Sequence, residues 1–241
     1  MGGEERPWAI RPGLMVGLVV GLAVVIVGIW LGVTRPWSGS TPAVAVKTAG
    51  VRAAATPAAG SVCGLTGYAT SGTVATAPNT AWVRMGRFVA PNDPHGAGPG
   101  LTDANGFRHC FARTPEGALF AAANIAGTAI DTAVLKETVE RLYVPGPGQQ
   151  AVLKQVPASI ASADAYDWQI LGYQVTSYTA NEAHVNLALS LLSGMVSVPC
   201  TLEWRDGDWM VVTASDGTDP SHDGGRISSL GGFTPWSGSA S

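Results

Sequence analysis

Histidine, cysteine and acidic residues are the side chains of this chain that could act as metal ligands, nucleophiles or proton carriers. The four histidines, His95, His109, His184 and His222, have no second histidine, cysteine or carboxylate at the spacing of a metal site. His109 and Cys110 are adjacent, so in a strand their side chains would point to opposite faces. We therefore predict no metal site, and for His95 and His184 we favour solvated positions over ligand binding.

Two aspartates are candidates for acid–base chemistry. Asp164 and Asp167 lie just before the predicted sheet and could reach a pocket in it. The alternative, which we favour, is that they are turn residues at the start of a strand. The chain has no G-x-S-x-G, H-E-x-x-H or phosphate-binding motif. We predict no catalytic residue and no cofactor.

The three cysteines allow one disulfide. Cys200 falls on the apolar row of a predicted strand, which favours a free, buried thiol. Cys63 and Cys110 are then the candidate pair if the domain lies outside the cytoplasm. The alternative is three reduced cysteines in a cytoplasmic domain.

A charge-free run near the N-terminus predicts a membrane anchor. Residues 14–33 would form a helix of about 30 Å, the thickness of a bilayer core. The run lacks the small-residue cleavage site of a signal peptide, which favours an uncleaved anchor. Its glycines share one face at small-xxx-small spacing, which predicts close packing against another membrane helix. The alternative is that they reflect only the ordinary glycine content of membrane helices. These glycines are Gly13, Gly17, Gly21, Gly28 and Gly32.

Composition divides the chain around this anchor. We predict a cytoplasmic N-terminus (1–13), a transmembrane helix (14–33), an Ala/Pro/Thr/Ser/Gly-rich linker (34–62), an extracytoplasmic domain (63–214) and a Gly/Ser-rich tail (215–241). The numbers of Lys and Arg residues before and after the anchor are nearly equal, so the positive-inside rule gives little support for this orientation over the reverse one. The net charge of −3 argues against nucleic-acid binding, which requires a basic face.

Local signals predict helices in the first part of the domain. Residues 82–90 read as a strand. Thr114, followed by Pro115 and Glu116, has the residue types of a helix start. A second helix is predicted to begin near Asp131, and residues 149–156 predict a short third one.

From Trp168 onward the apolar period changes to two, which is typical of strands. The residues from 205 to 208 predict a hairpin turn, and the offset alternation around Gly172 predicts a β-bulge. The predicted fold class is α+β: an N-terminal transmembrane helix, then helices packed on a bent, cone-like, four-stranded antiparallel sheet.

Helices followed by a long meander that ends in W-x-x-G-x-W (204–209) resemble the cone-shaped domains of the ketosteroid-isomerase and nuclear-transport-factor superfamily. An anchor, a spacer and such a domain resemble the single-pass assembly proteins of type IV secretion and conjugation machines. The stretches 63–65 and 108–118 are also similar to actinobacterial membrane proteins of mobile conjugative elements.

This resemblance implies a non-enzymatic scaffold of a cell-envelope complex, such as a conjugation or secretion apparatus. Its expected partners are the bilayer and other membrane proteins or a second copy of the chain, and its expected location is the cell membrane. Two alternatives stay open. One is an extracytoplasmic binding module for a small ligand or cell-wall component, and the other is a membrane-tethered enzyme.

Overall fold

The computed structural model describes residues 60–165, 167–191, 194–221 and 224–238. The predicted transmembrane segment of residues 14–33 and its glycines lie outside these ranges. Within the described ranges, no helix is both long enough and apolar enough to cross a membrane.

Two short hairpins precede the helices. β1 (Ala81–Met85) pairs with β2 (Phe88–Asn92), and β3 (Leu101–Thr102) pairs with β4 (Arg108–His109), both antiparallel. The prediction of a single strand over residues 82–90 was wrong. Gly86 has a positive φ of 55°, which a glycine adopts without strain, and the chain reverses there.

Three helices follow: α1 (Pro115–Gly127), α2 (Thr132–Leu142) and α3 (Pro147–Ser162), the last continued by a 3-10 turn over Ala163–Ala165. The predicted start of α1 is confirmed, because the hydroxyl of Thr114 accepts a 3.0 Å hydrogen bond from the Gly117 N–H.

The third helix is longer than predicted. It runs for 16 residues and continues through Pro157, which lies inside it. Proline lacks an N–H and so removes one helical hydrogen bond. Packing of Val156 against Leu135 and Val139 of α2 stabilises this part of the helix nevertheless.

The main sheet has six antiparallel strands, so the predicted four-stranded fold was wrong. Four of these strands follow one another along the chain: β5 (Ile170–Tyr178), β6 (Glu182–Leu191), β7 (Gly194–Arg205) and β8 (Asp208–Val211). The register shifts between Ile170 and Gly172, which confirms the predicted bulge, and the predicted hairpin turn joins β7 to β8.

The two additional strands come from the predicted tail. β9 (Gly225–Ile227) pairs with β7, and β10 (Thr234–Pro235) pairs with the outer edge of β5. Strands of three and two residues are too short to display an alternating apolar pattern, so they could not be predicted from periodicity.

The outer edge of β7 is shared by two strands. β9 pairs with residues 195–197 of β7, and β8 pairs with residues 202–205. Pro199 lies in the gap between these two segments. Because proline has no N–H, it leaves no ladder donor unpaired at this position.

A disulfide and a buried carboxylate fasten the N-terminal part to the sheet. Cys63 and Cys110 are bonded, as predicted, with their Cα atoms 6.1 Å apart. The carboxylate of Asp208 accepts hydrogen bonds from the backbone N–H groups of Cys110 (2.6 Å), Phe111 (2.9 Å) and Trp209 (2.9 Å).

The core lies between α1 and the sheet and extends to the end of the described chain. Trp236, just after β10, is 4% exposed. Its indole ring contacts the rings of Trp82, Phe120 and Tyr173 at centroid distances of 4.9, 5.6 and 5.4 Å. These contacts bury the C-terminal segment against the helical layer and the first hairpin.

Candidate functional site: a cavity between the helices and the sheet

A cavity of about 110 Å³ lies between the helical layer and the face of β6, β7 and β8. Its walls are mainly apolar. The helical wall includes Ala122, Ile125 and Ala126, and the sheet contributes Leu187, Leu189 and Val198.

Small side chains create this space. Ala122, Ala126 and Ala129 line the cavity at spacings of four and three residues, which places them on one side of α1 and its C-terminal extension. A larger residue at any of these positions would occupy part of the volume. The cavity therefore exists because α1 and the residues after it present methyl groups where longer side chains would close it.

A phenol and a thiol are two of the titratable groups that line the cavity. Burial raises the pKa of the Tyr143 phenol and that of the Cys200 thiol, and each pKa is raised further by a neighbouring group, Cys200 and Asp219 respectively. Both side chains are therefore neutral at physiological pH. They can exchange hydrogen bonds with a ligand but carry no charge to attract an ion.

The third titratable group in the cavity wall, the carboxylate of Asp219, already accepts hydrogen bonds from the protein. Asp219 is 5% exposed and accepts hydrogen bonds from the Thr201 N–H (2.7 Å) and from the Ser221 N–H (2.9 Å). The hydroxyl of Thr201 also donates to it at 3.3 Å. Asp219 thus accepts the hydrogen bond of a β7 N–H group in the segment that neither β8 nor β9 covers. Its oxygens are already occupied by hydrogen bonds within the protein.

The size and chemistry of the cavity favour a small neutral molecule. An apolar cavity of about 150 Å³ in another protein holds benzene. The space here suits a ligand, or the end of a ligand, of a few carbon atoms. A ligand hydroxyl or carbonyl could pair with Tyr143 or Cys200.

The histidines named from the sequence lie away from this cavity. His95 is exposed in the turn after β2. A ring nitrogen of His109 lies 3.2 Å from Asp103, and His184 lies 2.8 Å from Glu182. His222 lies outside the described residues.

The two candidate aspartates lie on the surface. The Asp164 carboxylate is 3.5 Å from the Arg87 guanidinium, and Asp167 is exposed. Cys200 is free, as predicted, but half-buried rather than buried because its side chain lines the cavity. Of the side chains considered for chemistry from the sequence, Cys200 alone lines this cavity.

A family model described as "Domain of unknown function (DUF8175)" matches residues 43–235. The chain belongs to this family. The match includes the disulfide, every residue that lines the cavity and the last strand, so the candidate site lies within the DUF8175 domain itself. Neither the search of curated proteins nor the search of solved structures returned a match. The resemblance to cone-shaped domains and conjugation proteins stays a prediction.

Sequence reasoning about the DUF8175 domain missed Tyr143 and the alanines of the cavity. In the sequence, Tyr143 directly follows Leu142 at the end of the second predicted helix, and nothing in this pattern indicates a special role for its hydroxyl. The run of small apolar residues after Glu116 indicates a buried helix but does not show which of its alanines face a cavity. Its unusual content of small residues was the one available signal, since small side chains on a buried helix permit either close packing or a cavity.

Proposed function

We propose that this chain is a membrane-anchored, non-enzymatic binding module whose domain takes a small neutral apolar ligand, or the apolar end of a larger one. The cavity between α1 and the sheet carries this proposal. Its apolar walls would exclude ions, while Tyr143 and Cys200 would orient a ligand that has one hydrogen-bonding group.

The electrostatics of Tyr143 and Cys200 favour binding over chemistry. A thiolate is the reactive form of cysteine, and burial raises the pKa of Cys200 so that this form is rare. The same cause keeps Tyr143 protonated. Both groups are suited to hydrogen bonding with a neutral ligand in an apolar site.

Two further observations support an anchored domain outside the cytoplasm. The charge-free run of residues 14–33 has the length and apolarity of a membrane anchor. The disulfide between Cys63 and Cys110 is typical of proteins in an oxidising compartment.

The free thiol of Cys200 provides a direct test of the cavity. Cys63 and Cys110 are bonded to each other, so Cys200 is the single free cysteine of the full-length chain. We would treat the chain in lipid nanodiscs with a neutral propyl methanethiosulfonate and with a trimethylammonium analogue, both at the same mildly alkaline pH so that more of the reactive thiolate is present, and follow the adduct by mass spectrometry. Rates would be normalised to the reaction of each reagent with free cysteine.

We expect the neutral reagent to react at least about tenfold faster than the charged one, because only a neutral alkyl chain can enter the apolar space without losing hydration. Ala126→Phe should slow the neutral reagent by filling the cavity. Ala158→Phe, on the exposed side of α3, is the matched control and should not. Equal rates for the two reagents, or no effect of Ala126→Phe, would refute the proposal.

A scaffold of a cell-envelope complex, such as a conjugation or secretion apparatus, is the second candidate function. The glycine positions within and beside the run of residues 14–33 favour it, because small-xxx-small spacing suits close helix contacts in a membrane. Replacing Gly17 and Gly21 by isoleucine should weaken self-association in a membrane two-hybrid assay. An unchanged signal would remove this support, and crosslinking in native membranes would identify any partner.

A further inference from the structure

A second concave site lies at the end of the sheet where two hairpin turns meet. The turn between β5 and β6 contributes Asn181, the turn between β7 and β8 contributes Asp206, and residues 60–62 close a third side. The cleft has a volume of about 560 Å³, within the range of about 300–1,000 Å³ typical of small-molecule sites. It shares no lining residue with the apolar cavity.

A buried arginine organises one wall of this cleft. Arg113 is 2% exposed, and its guanidinium donates to the carbonyl of Ala180 and to the side-chain oxygen of Asn181, each at 2.7 Å. The guanidinium carbon lies 5.2 Å from the ring centroids of both Tyr68 and Trp204. Arg113 thereby fixes the amide of Asn181 and the indole of Trp204 before any ligand arrives.

The cleft offers both donors and an acceptor to a ligand. Within the described part of the chain, the amide nitrogen of Asn181, the indole nitrogen of Trp204 and the carboxylate of Asp206 make no hydrogen bond. The charges of Arg113 and Asp206 balance, so the cleft has no net charge that would select an anion or a cation.

We propose that this cleft binds a neutral oligosaccharide. A sugar ring can place its C–H face on the indole of Trp204, while its hydroxyls both donate and accept hydrogen bonds. Those hydroxyls match the carboxylate of Asp206 and the amide of Asn181. This site is independent of the apolar cavity, and a domain outside the cytoplasm would meet such sugars in the cell envelope.

The test is isothermal titration of the full-length chain in lipid nanodiscs with three neutral trisaccharides: chitotriose, cellotriose and maltotriose. We expect at least one of them to bind saturably with a Kd in the millimolar range or tighter, and Asp206→Gly to weaken that binding about tenfold or more. Glycine suits this position because φ of Asp206 is 52°. Trp204→Phe keeps a ring in place and should weaken binding less.

The matched control is Glu203→Gln, which removes a partly exposed carboxylate that is paired with Arg205 and does not line the cleft. Its affinity should equal that of the unaltered chain. The proposal is overturned if none of the trisaccharides binds saturably up to about 10 mM, or if Asp206→Gly binds as tightly as the unaltered chain. Ala126→Phe separates the two sites, since it should leave saccharide binding unchanged.

Discussion

Replacing Asp208 by asparagine should remove a pH dependence from the stability of this domain. Two effects act on the pKa of this carboxyl group in opposite directions. Burial disfavours the charged form, whereas the N–H groups of Cys110, Phe111 and Trp209 favour it. Burial is the larger effect and raises the pKa from 3.8 to about 6.

The sign of the stability change follows from proton binding. Between pH 3.8 and about 6 the unfolded chain has lost this proton while the folded chain retains it. The contribution of Asp208 to the free energy of unfolding is therefore largest below pH 3.8 and declines as the pH rises through the folded-state value. A difference of about two pKa units corresponds to about 3 kcal/mol.

Urea unfolding at a series of pH values measures this contribution. At each pH we would subtract the free energy of unfolding of Asp208→Asn from that of the unaltered chain. This difference should fall by about 3 kcal/mol between about pH 3 and pH 7. Any pH-independent cost of the asparagine shifts all the values equally and does not affect this fall. Asp206→Asn in the same turn is the control. Its side chain is exposed, and asparagine tolerates its positive φ.

Two outcomes would refute this reasoning. A difference that stays constant with pH would mean that the pKa of Asp208 is unshifted by folding. A difference that grows with pH would mean that the three N–H donors outweigh burial and hold the pKa below its ordinary value.

Three further changes test the packing of the domain, each by urea unfolding of the full-length chain. Replacing Cys63 and Cys110 together by serine should cost about 4 kcal/mol in the chain-entropy model for a loop of this length, and equal stability with the disulfide intact or absent would contradict it. Thr114→Ala removes the cap on the Gly117 N–H and should cost about 1 kcal/mol, whereas a neutral result would mean that the cap adds no stability. Trp236→Ala should cost about 3–5 kcal/mol because it empties a buried aromatic cluster, and a loss below about 1 kcal/mol would show that the C-terminal segment does not dock.

Features set by neighbouring residues could be predicted from the sequence. The start of α1 needs only the hydroxyl of Thr114 and the proline after it. The turn between β7 and β8 needs Asp206 and Gly207, which both adopt positive φ, and the bulge near Gly172 follows from an interrupted alternation. In each case the deciding interactions lie within a few residues.

Features set by distant contacts could not be predicted. β9 and β10 are strands because β7 and β5 offer them unpaired edges, and their own residues carry little strand preference. The apolar cavity depends on which alanines of α1 face the sheet, and the saccharide cleft on two turns that are about 25 residues apart in sequence. The disulfide was predictable by elimination, since Cys200 already had a place in a strand.

The positions of the two short strands have a consequence for the folding of the newly made chain. β10 covers the outer edge of β5, and β9 covers part of the outer edge of β7, so both edges are completed by residues after 224. Until those residues emerge, a nascent domain would present two rows of unpaired N–H and carbonyl groups. Such edges can pair with other chains, so the interval between the synthesis of β8 and that of β10 is when this domain is most exposed to misassembly.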